Sequence, residues 1–337
     1  MSIVERAPDK VDPGTDRPSR AARLARSTAG VLLRVPEAGI GAAVVVLCIV
    51  VALINSQFAT TTNIFNLLEA VSVTGIVAVG MTFVIIAGEL DLSVGSNVAL
   101  AALAAFMLSH TVAWPLAVAG GFATAVAVGL VSALLVTKLG INSFIVTLGM
   151  LSVARGIALY VSNGLPQSGL TSLTNLGQGK IGPLPAQVLV LLITVVLGQL
   201  LLSGTNFGSQ VKAVGDNPEA ARLAGLPVQK VKIACFCLLG VLVAVAAILR
   251  AEQLGTAEPD AAVGLELDVI AATIIGGASL SGGRGSILGA FLGAALLGVM
   301  RNAFVLLQLS SFLQTIGTGV IIILAVLFDR LRLRYTS

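Results

Sequence analysis

Charge is scarce in this chain. Asp, Glu, Lys and Arg make up 11% of its 337 residues, against about 25% in an ordinary soluble domain. A soluble protein of this size needs a polar skin that so few charges cannot supply. Histidine occurs once, as His110, and cysteine three times. A single imidazole leaves no His-based catalytic cluster. Cys235 and Cys237 form a C-x-C with no second pair, and with Cys48 they lie inside apolar runs, so they read as packed thiols rather than metal ligands or a disulfide. Aromatic residues reach only 4%. The net charge of +4 therefore does not indicate a nucleic-acid groove, because its basic residues sit between apolar blocks and not along one face. A phosphate loop is missing too. Gly282-Gly283-Arg284-Gly285-Ser286 lacks the G-x-x-x-x-G-K-[ST] spacing and follows no strand, and Arg284 reads instead as an anchor at an anionic membrane face.

What the chain has is apolar length. Hydrophobic residues reach 56%, with 37 glycines, and mean hydropathy is +1.01. The apolar residues fall into about ten segments, near 38–56, 65–87, 94–109, 113–136, 144–162, 185–203, 230–250, 269–281, 286–302 and 310–328. Most have the roughly 20 residues that cross a bilayer as helix. Segments 94–109, 269–281 and 286–302 are short, and are read as tilted, broken or re-entrant. The fold class expected is an all-α polytopic membrane protein: a charged, partly disordered tail over 1–37 rather than a cleaved leader, one membrane domain over 38–329, and a short tail over 330–337. Arg17, Arg20, Arg23, Arg26 and Arg34 precede the first segment, and Arg330, Arg332 and Arg334 follow the last. With ten crossings, Lys138, Lys212, Arg222, Lys230, Lys232 and Arg284 fall on the side of the termini, which the basic bias makes cytoplasmic. The stretches 163–184 and 251–268 are then external.

Polar islands interrupt this pattern. Glu89-Leu90-Asp91-Leu92-Ser93-Val94-Gly95-Ser96 precedes an apolar segment. Asp91 or Ser93 is expected to cap the helix there, and Gly95 and Ser96 to let it pack closely, in a tight turn or a cytoplasmic gate. A related Leu-Ser-Gly-Gly core recurs in Gly277–Ser286, where Gly283, Arg284 and Gly285 occupy the turn, so the chain carries a weak parallel repeat. Between membrane segments, Asp216 or Asn217 would cap a short helix with Pro218 and Glu219 in its first turn, an apolar face of Ala220, Ala221, Leu223 and Ala224, Arg222 beside it, and Gly225 at its end. Two turns of helix need a neighbour to persist, so 204–229 reads as a docking region or as a plain connector. Arg155, Arg301 and Glu69 are charges at membrane positions and need partners. Few charges line any path. A neutral, hydroxyl-rich solute met by Asn142, Ser143, Phe144 and Thr147 is one reading of that scarcity, and helix capping explains the same residues.

These motifs carry a resemblance. Gly88–Ser96 resembles the Gly-Gly-Ile-Asp-Leu-Ser-Val-Gly-Ser signature of the membrane permeases of bacterial ATP-driven sugar importers, ribose branch, with Glu89 for the second glycine and Leu90 for isoleucine. Asn142–Gly149 with Arg155 and Gly156 is similar to that family's fifth helix. Gly215–Gly225 resembles its Gly-Gly-Asn-x-x-Ala-Ala-x-x-Ser-Gly stretch, with Asp216 and Ala224 as departures, and Gly282–Gly289 and Leu327-Phe328-Asp329 also fit. The resemblance implies an architecture like that of vitamin-B12 importer permeases. It also implies a second permease chain, no cofactor on this chain, cytoplasmic ATPase partners holding ATP and Mg, and an external sugar-binding protein that meets 163–184 and 251–268. Asp216–Gly225 would meet the ATPase. The rival classes are a branched-chain amino-acid importer permease, an ion-coupled single-chain transporter and a membrane enzyme, the last lacking any catalytic cluster.

Overall fold

The computed structural model of the protein describes residues 36–169, 178–310 and 312–320, with Ile323 and Leu327. The tail 330–337, nearly all of the tail 1–37 and much of the segment 310–328 lie outside the described residues.

Local chemistry sets the helix ends. Helix α1 (Pro36–Ile54) starts on a proline and Glu37, as an exposed amino-terminal turn favours. A 3-10 turn (Ser56–Ala59) leads into α2 (Thr61–Ile86), where the Thr60 hydroxyl accepts from the Asn63 N–H. Helix α3 (Val94–Leu108) follows, then α4 (Trp114–Leu139), which opens on Trp-Pro and closes on Gly140 in the left-handed region. In α5 (Ser143–Ser162) the Asn142 carbonyl oxygen caps the Phe144 N–H at 2.9 Å. A two-residue hairpin, β1 (Lys180–Ile181) with β2 (Leu184–Pro185), precedes α6 (Ala186–Gly204). Then come α7 (Asn206–Asp216), α8 (Pro218–Leu223), α9 (Val228–Leu254), α10 (Leu265–Ile275) and α11 (Ile287–Leu306). Residues 312–320 are helical.

Among the described residues, α1, α2, α4, α5, α6, α9 and α11 are long and apolar enough to cross a membrane, and α3 is a shorter apolar helix. The chain is a polytopic helical membrane protein. Its centre is α2, which packs on α6, α9, α10 and α11, while α9 packs on α4, α4 on α3 and α3 on α5. Met81, Phe83, Phe106, Phe236 and Leu239 fill the interior. The contrast with α1 is sharp: α2 is buried along most of its length, whereas α1 is hardly covered, so α1 presents its apolar surface outward, as lipid requires.

Three expectations change. Segment 286–302 is not short, because α11 runs to Leu306 and Arg301 lies within it, its charge met by Asp268. The stretch 251–268 is not one outer loop. Residues 251–254 finish α9, 265–268 begin α10, and the turn between them packs into the bundle against α3 and α5. Finally, 204–229 contains a second helix, α7, whose Val211 and Val214 are buried.

Helices α10 and α11 meet without side chains between them. A Cβ at Gly289 or Gly293 would overlap the carbonyl oxygens of Gly276 and Ala272, so the two backbones touch, as small residues allow in membranes.

Candidate functional site

Three segments converge at one end of the bundle. The Gly283 N–H donates to the Ile86 carbonyl at 2.9 Å. A Cβ at Gly282 would meet Gly215 O at 2.5 Å and Gly88 Cα at 3.1 Å, and one at Gly283 would meet Asp216 Cα at 2.9 Å. Gly282 and Gly283 have φ of +83° and +75°, a region only glycine enters freely. The two motifs of the weak repeat, around Gly88 and Gly282, thus touch each other, and the end of α7 closes over both. Gly285 extends the seam, since a Cβ there would meet the Ile86 side chain at 2.7 Å.

Glu89 is held here by Lys232 at 2.5 Å, with both side chains largely buried. The pair joins the α2–α3 turn to the start of α9. Removing one partner of a buried pair strands the other charge. Lys232→Met should therefore lower the thermal midpoint of the detergent-solubilised protein, and Glu89→Gly on that background should restore most of the loss. Midpoints followed by fluorescence through the double-mutant cycle check this.

Asp91 does not cap α3. Its Oδ1 accepts from the Ser93 N–H at 2.8 Å and the Ser93 hydroxyl at 2.6 Å. Ser93 precedes α3 with backbone angles already in the right-handed helical region, and it makes no side-chain cap bond. Burial pushes the Asp91 carboxyl above the usual carboxylate range, and the two Ser93 bonds draw it back. The Ser96 hydroxyl donates to Ser93 O. Gly95 lets α3 approach the turn before α10, where a Cβ would meet Ala262 O at 2.6 Å.

Asn142, Ser143, Phe144 and Thr147 stand at the start of α5. Asn142 caps α5, Ser143 Oγ accepts from the Leu90 N–H at 3.2 Å, the Thr147 hydroxyl donates to Ser143 O at 2.8 Å, and Phe144 is exposed. Ser143 and Thr147 thus hold the α2–α3 turn through Leu90, while Asn142 caps α5. Arg155 is only part-buried. Its Nη1 donates to Pro259 O at 2.6 Å and to Ala261 O at 3.0 Å, so backbone carbonyls of the turn before α10 take the place of an acidic partner. Hydrogen bonds to charged groups contribute about 1.5–3 kcal/mol each. Arg155→Leu should cut the folded yield in mild detergent several-fold by size-exclusion chromatography, whereas Arg155→Lys should retain most of it.

The α8 region is built as a surface feature. The Asn217 side chain caps the Ala220 N–H at 2.9 Å, and Glu219 pairs with Arg222 at 2.7 Å. Pro218, Ala220, Ala224 and Gly225 are exposed, and Leu223 is 81% exposed. Ala221 is not on that face, because it is buried against the chain's own core. The expected apolar face therefore splits, with Ala221 inward and Leu223 outward.

At the opposite end of α2 and α11 lies a second polar group. Arg301 pairs with Asp268 at 2.5 Å, Asn63 and Asn302 exchange amide bonds at 2.8 and 3.0 Å, and Gln253 donates to Glu69 at 3.0 Å. The Arg301–Asp268 pair borders two cavities, about 300 Å³ between α2 and α11 and about 450 Å³ beside residues 314–319. The sequence marks Arg301 as needing a partner. Asn63, Asp268 and Asn302 carry no local signal, since their partners are distant in the chain.

Residues 63–327 match the family described as branched-chain amino acid transport system / permease component. The chain belongs to that family. It is 40% identical over 293 residues to the ribose import permease protein RbsC of Escherichia coli K12, covering 85% of this chain and 91% of that one. It is 39% identical to RbsC of Bacillus subtilis, covering 85% and 90%. It is also 39% identical over 319 residues to the L-arabinose ABC transporter permease protein AraH of Azospirillum brasilense, covering 94% of each. No solved structure matches the chain. As a member of this permease family the chain is a transport component of a multi-pass membrane assembly.

Proposed function

We propose that this chain is one of two permease chains forming the pathway of an ATP-driven importer for a pentose-type monosaccharide. The observation that carries this is the near-full-length similarity to permeases named for ribose and L-arabinose. On this reading the termini are cytoplasmic, and the chain makes about ten crossings in a vitamin-B12-importer-like arrangement. ATP and Mg belong to separate ATPase chains, and this chain holds no cofactor. An extracytoplasmic binding protein delivers the sugar. Asp216, Asn217, Pro218, Glu219, Ala220, Ala221, Arg222 and Gly225 form the region that couples to the ATPase. The outward-facing Leu223 supports this, because it leaves apolar surface uncovered beside the exposed cap of α8. Glu89, Asp91, Ser93, Gly95 and Ser96, with Gly283, Arg284 and Gly285, form the cytoplasmic gate, and the close approach of Gly88 to Gly282 between the two motifs supports this.

The test is uptake into proteoliposomes holding this chain and its co-expressed ATPase, with binding protein outside. ATP-dependent accumulation of D-ribose or L-arabinose is expected. Accumulation of L-leucine alone would move the chain to the amino-acid reading that the family description names. Accumulation under a proton or sodium gradient without ATP would move it to the ion-coupled class.

A further inference from the structure

The cavity between α2 and α11 has a lining that lipid does not tolerate. Asn63, Asn66 and Thr74 come from α2, Asp268 from α10, and Arg301 and Asn302 from α11. Asn63 and Thr74 are separated by about 16 Å of helix, so the cavity runs from the end of the bundle toward its middle. Uncovered polar groups at such depth are costly in hydrocarbon, so the cavity is filled by water, solute or protein. Its volume of about 300 Å³ sits at the small end of ligand pockets.

The chemistry of the lining selects among solutes. The carboxylate of Asp268 and the guanidinium of Arg301 already neutralise each other, so the cavity offers no net charge to an ion. The Arg301 side chain is still 47% exposed, leaving donors for a hydroxyl oxygen, and Asp268 accepts hydroxyl protons. Asn63 and Asn302 are locked into a reciprocal amide pair. Asn66 and Thr74 make no side-chain hydrogen bond among the described residues. Leu67, Val71 and Leu297 supply an apolar wall. Hydrogen-bonding groups facing a hydrocarbon wall suit a molecule with hydroxyls on one side and C–H groups on the other.

From this we infer that the α2–α11 cavity is a solute subsite for a neutral polyhydroxylated molecule, contacted by Asn66, Thr74, Asp268 and Arg301. The inference deepens the proposed sugar-importer reading and rests on it. Its test uses the full complex with ATPase and binding protein, and a chain in which Cys48, Cys235 and Cys237 are replaced. Asn66→Cys is introduced, and Thr74→Cys as a second position, and each is reacted with a water-soluble thiol reagent. Modification is expected without sugar, and should be at least five-fold slower during turnover with D-ribose or L-arabinose but not with L-leucine. Asn66→Leu should lower sugar uptake at least ten-fold while binding-protein-stimulated ATP hydrolysis continues. Cysteines that the reagent cannot reach at either position, equal labelling with and without sugar, or normal uptake by Asn66→Leu would each overturn the subsite while the unmodified complex still transports. Equal protection by leucine would overturn the solute class. A wild-type complex that moves neither sugar would instead remove the importer reading, and this subsite with it.

Discussion

Gly215→Ala should reduce the folded, membrane-inserted yield at least ten-fold. A Cβ at this position would overlap the Ile86 carbonyl oxygen and lie 2.7 Å from Gly283 N. Overpacking against side chains typically costs about 1–3 kcal/mol because rotamers can yield. Here the opposing atoms are backbone, and they are already bonded to each other through the Gly283 N–H and Ile86 C=O. Relief requires separating α2, α7 and the turn before α11 together. Gly204→Ala is the control, since a Cβ there meets nothing within 4 Å. Yields after detergent extraction, read by fluorescence-detected size exclusion, compare the two. A Gly215→Ala protein that elutes at the wild-type level would show that the three-way contact is not needed for folding.

Leu223→Asp should leave membrane levels unchanged and abolish both ATPase co-purification and sugar uptake. Leu223 is the large apolar side chain that α8 turns outward, at 81% exposure, and a carboxylate there is harmless in water but must be desolvated at an apolar contact. Ala221→Trp would be a poor probe, because Ala221 is buried in its own chain and a large ring would damage folding before it met any partner. The exposed Glu219–Arg222 pair contributes little, as surface pairs do, so Arg222→Ala should be nearly silent. A pull-down and an uptake assay on the same membranes check all three. Normal ATPase binding by Leu223→Asp would reduce α8 to a connector.

Most helices were legible in the sequence because apolar length is a local property. Segment 113–136 became Trp114–Leu139 and 144–162 became Ser143–Ser162, within a few residues. The first turn of α10, from Leu265, is hidden in the sequence because Glu266 and Asp268 look like loop residues until Arg301 is found beside Asp268. Helix α7 was missed because its polar face, with Asn206, Ser209, Gln210 and Lys212, resembles a linker when read one residue at a time. The turn chemistry of Asn142 and Asn217 was readable, since a cap acts within three residues. Pairings such as Glu89–Lys232 and Asn63–Asn302 join residues far apart in the chain. No spacing rule reaches that far, and only the helix arrangement brings them together. Asn142, Ser143 and Thr147 were readable as polar residues near a helix start. That Ser143 and Thr147 grip Leu90 depended on α5 lying beside the α2–α3 turn.

The seam between α10 and α11 makes the two helices a connecting rod. With backbone set against backbone at Gly276, Ala272, Gly289 and Gly293, no rotamer change can let one helix slip along the other. At one end of the rod the turn at Gly282 and Gly283 is wedged against Gly215 and Asp216. Toward the other, Asp268 and Arg301 are clamped together. The rod's longer member has 20 residues, about 30 Å of helix. The end of α7 therefore bears on the turn that joins the two helices, and the Arg301–Asp268 pair sits toward the far end of the same rod.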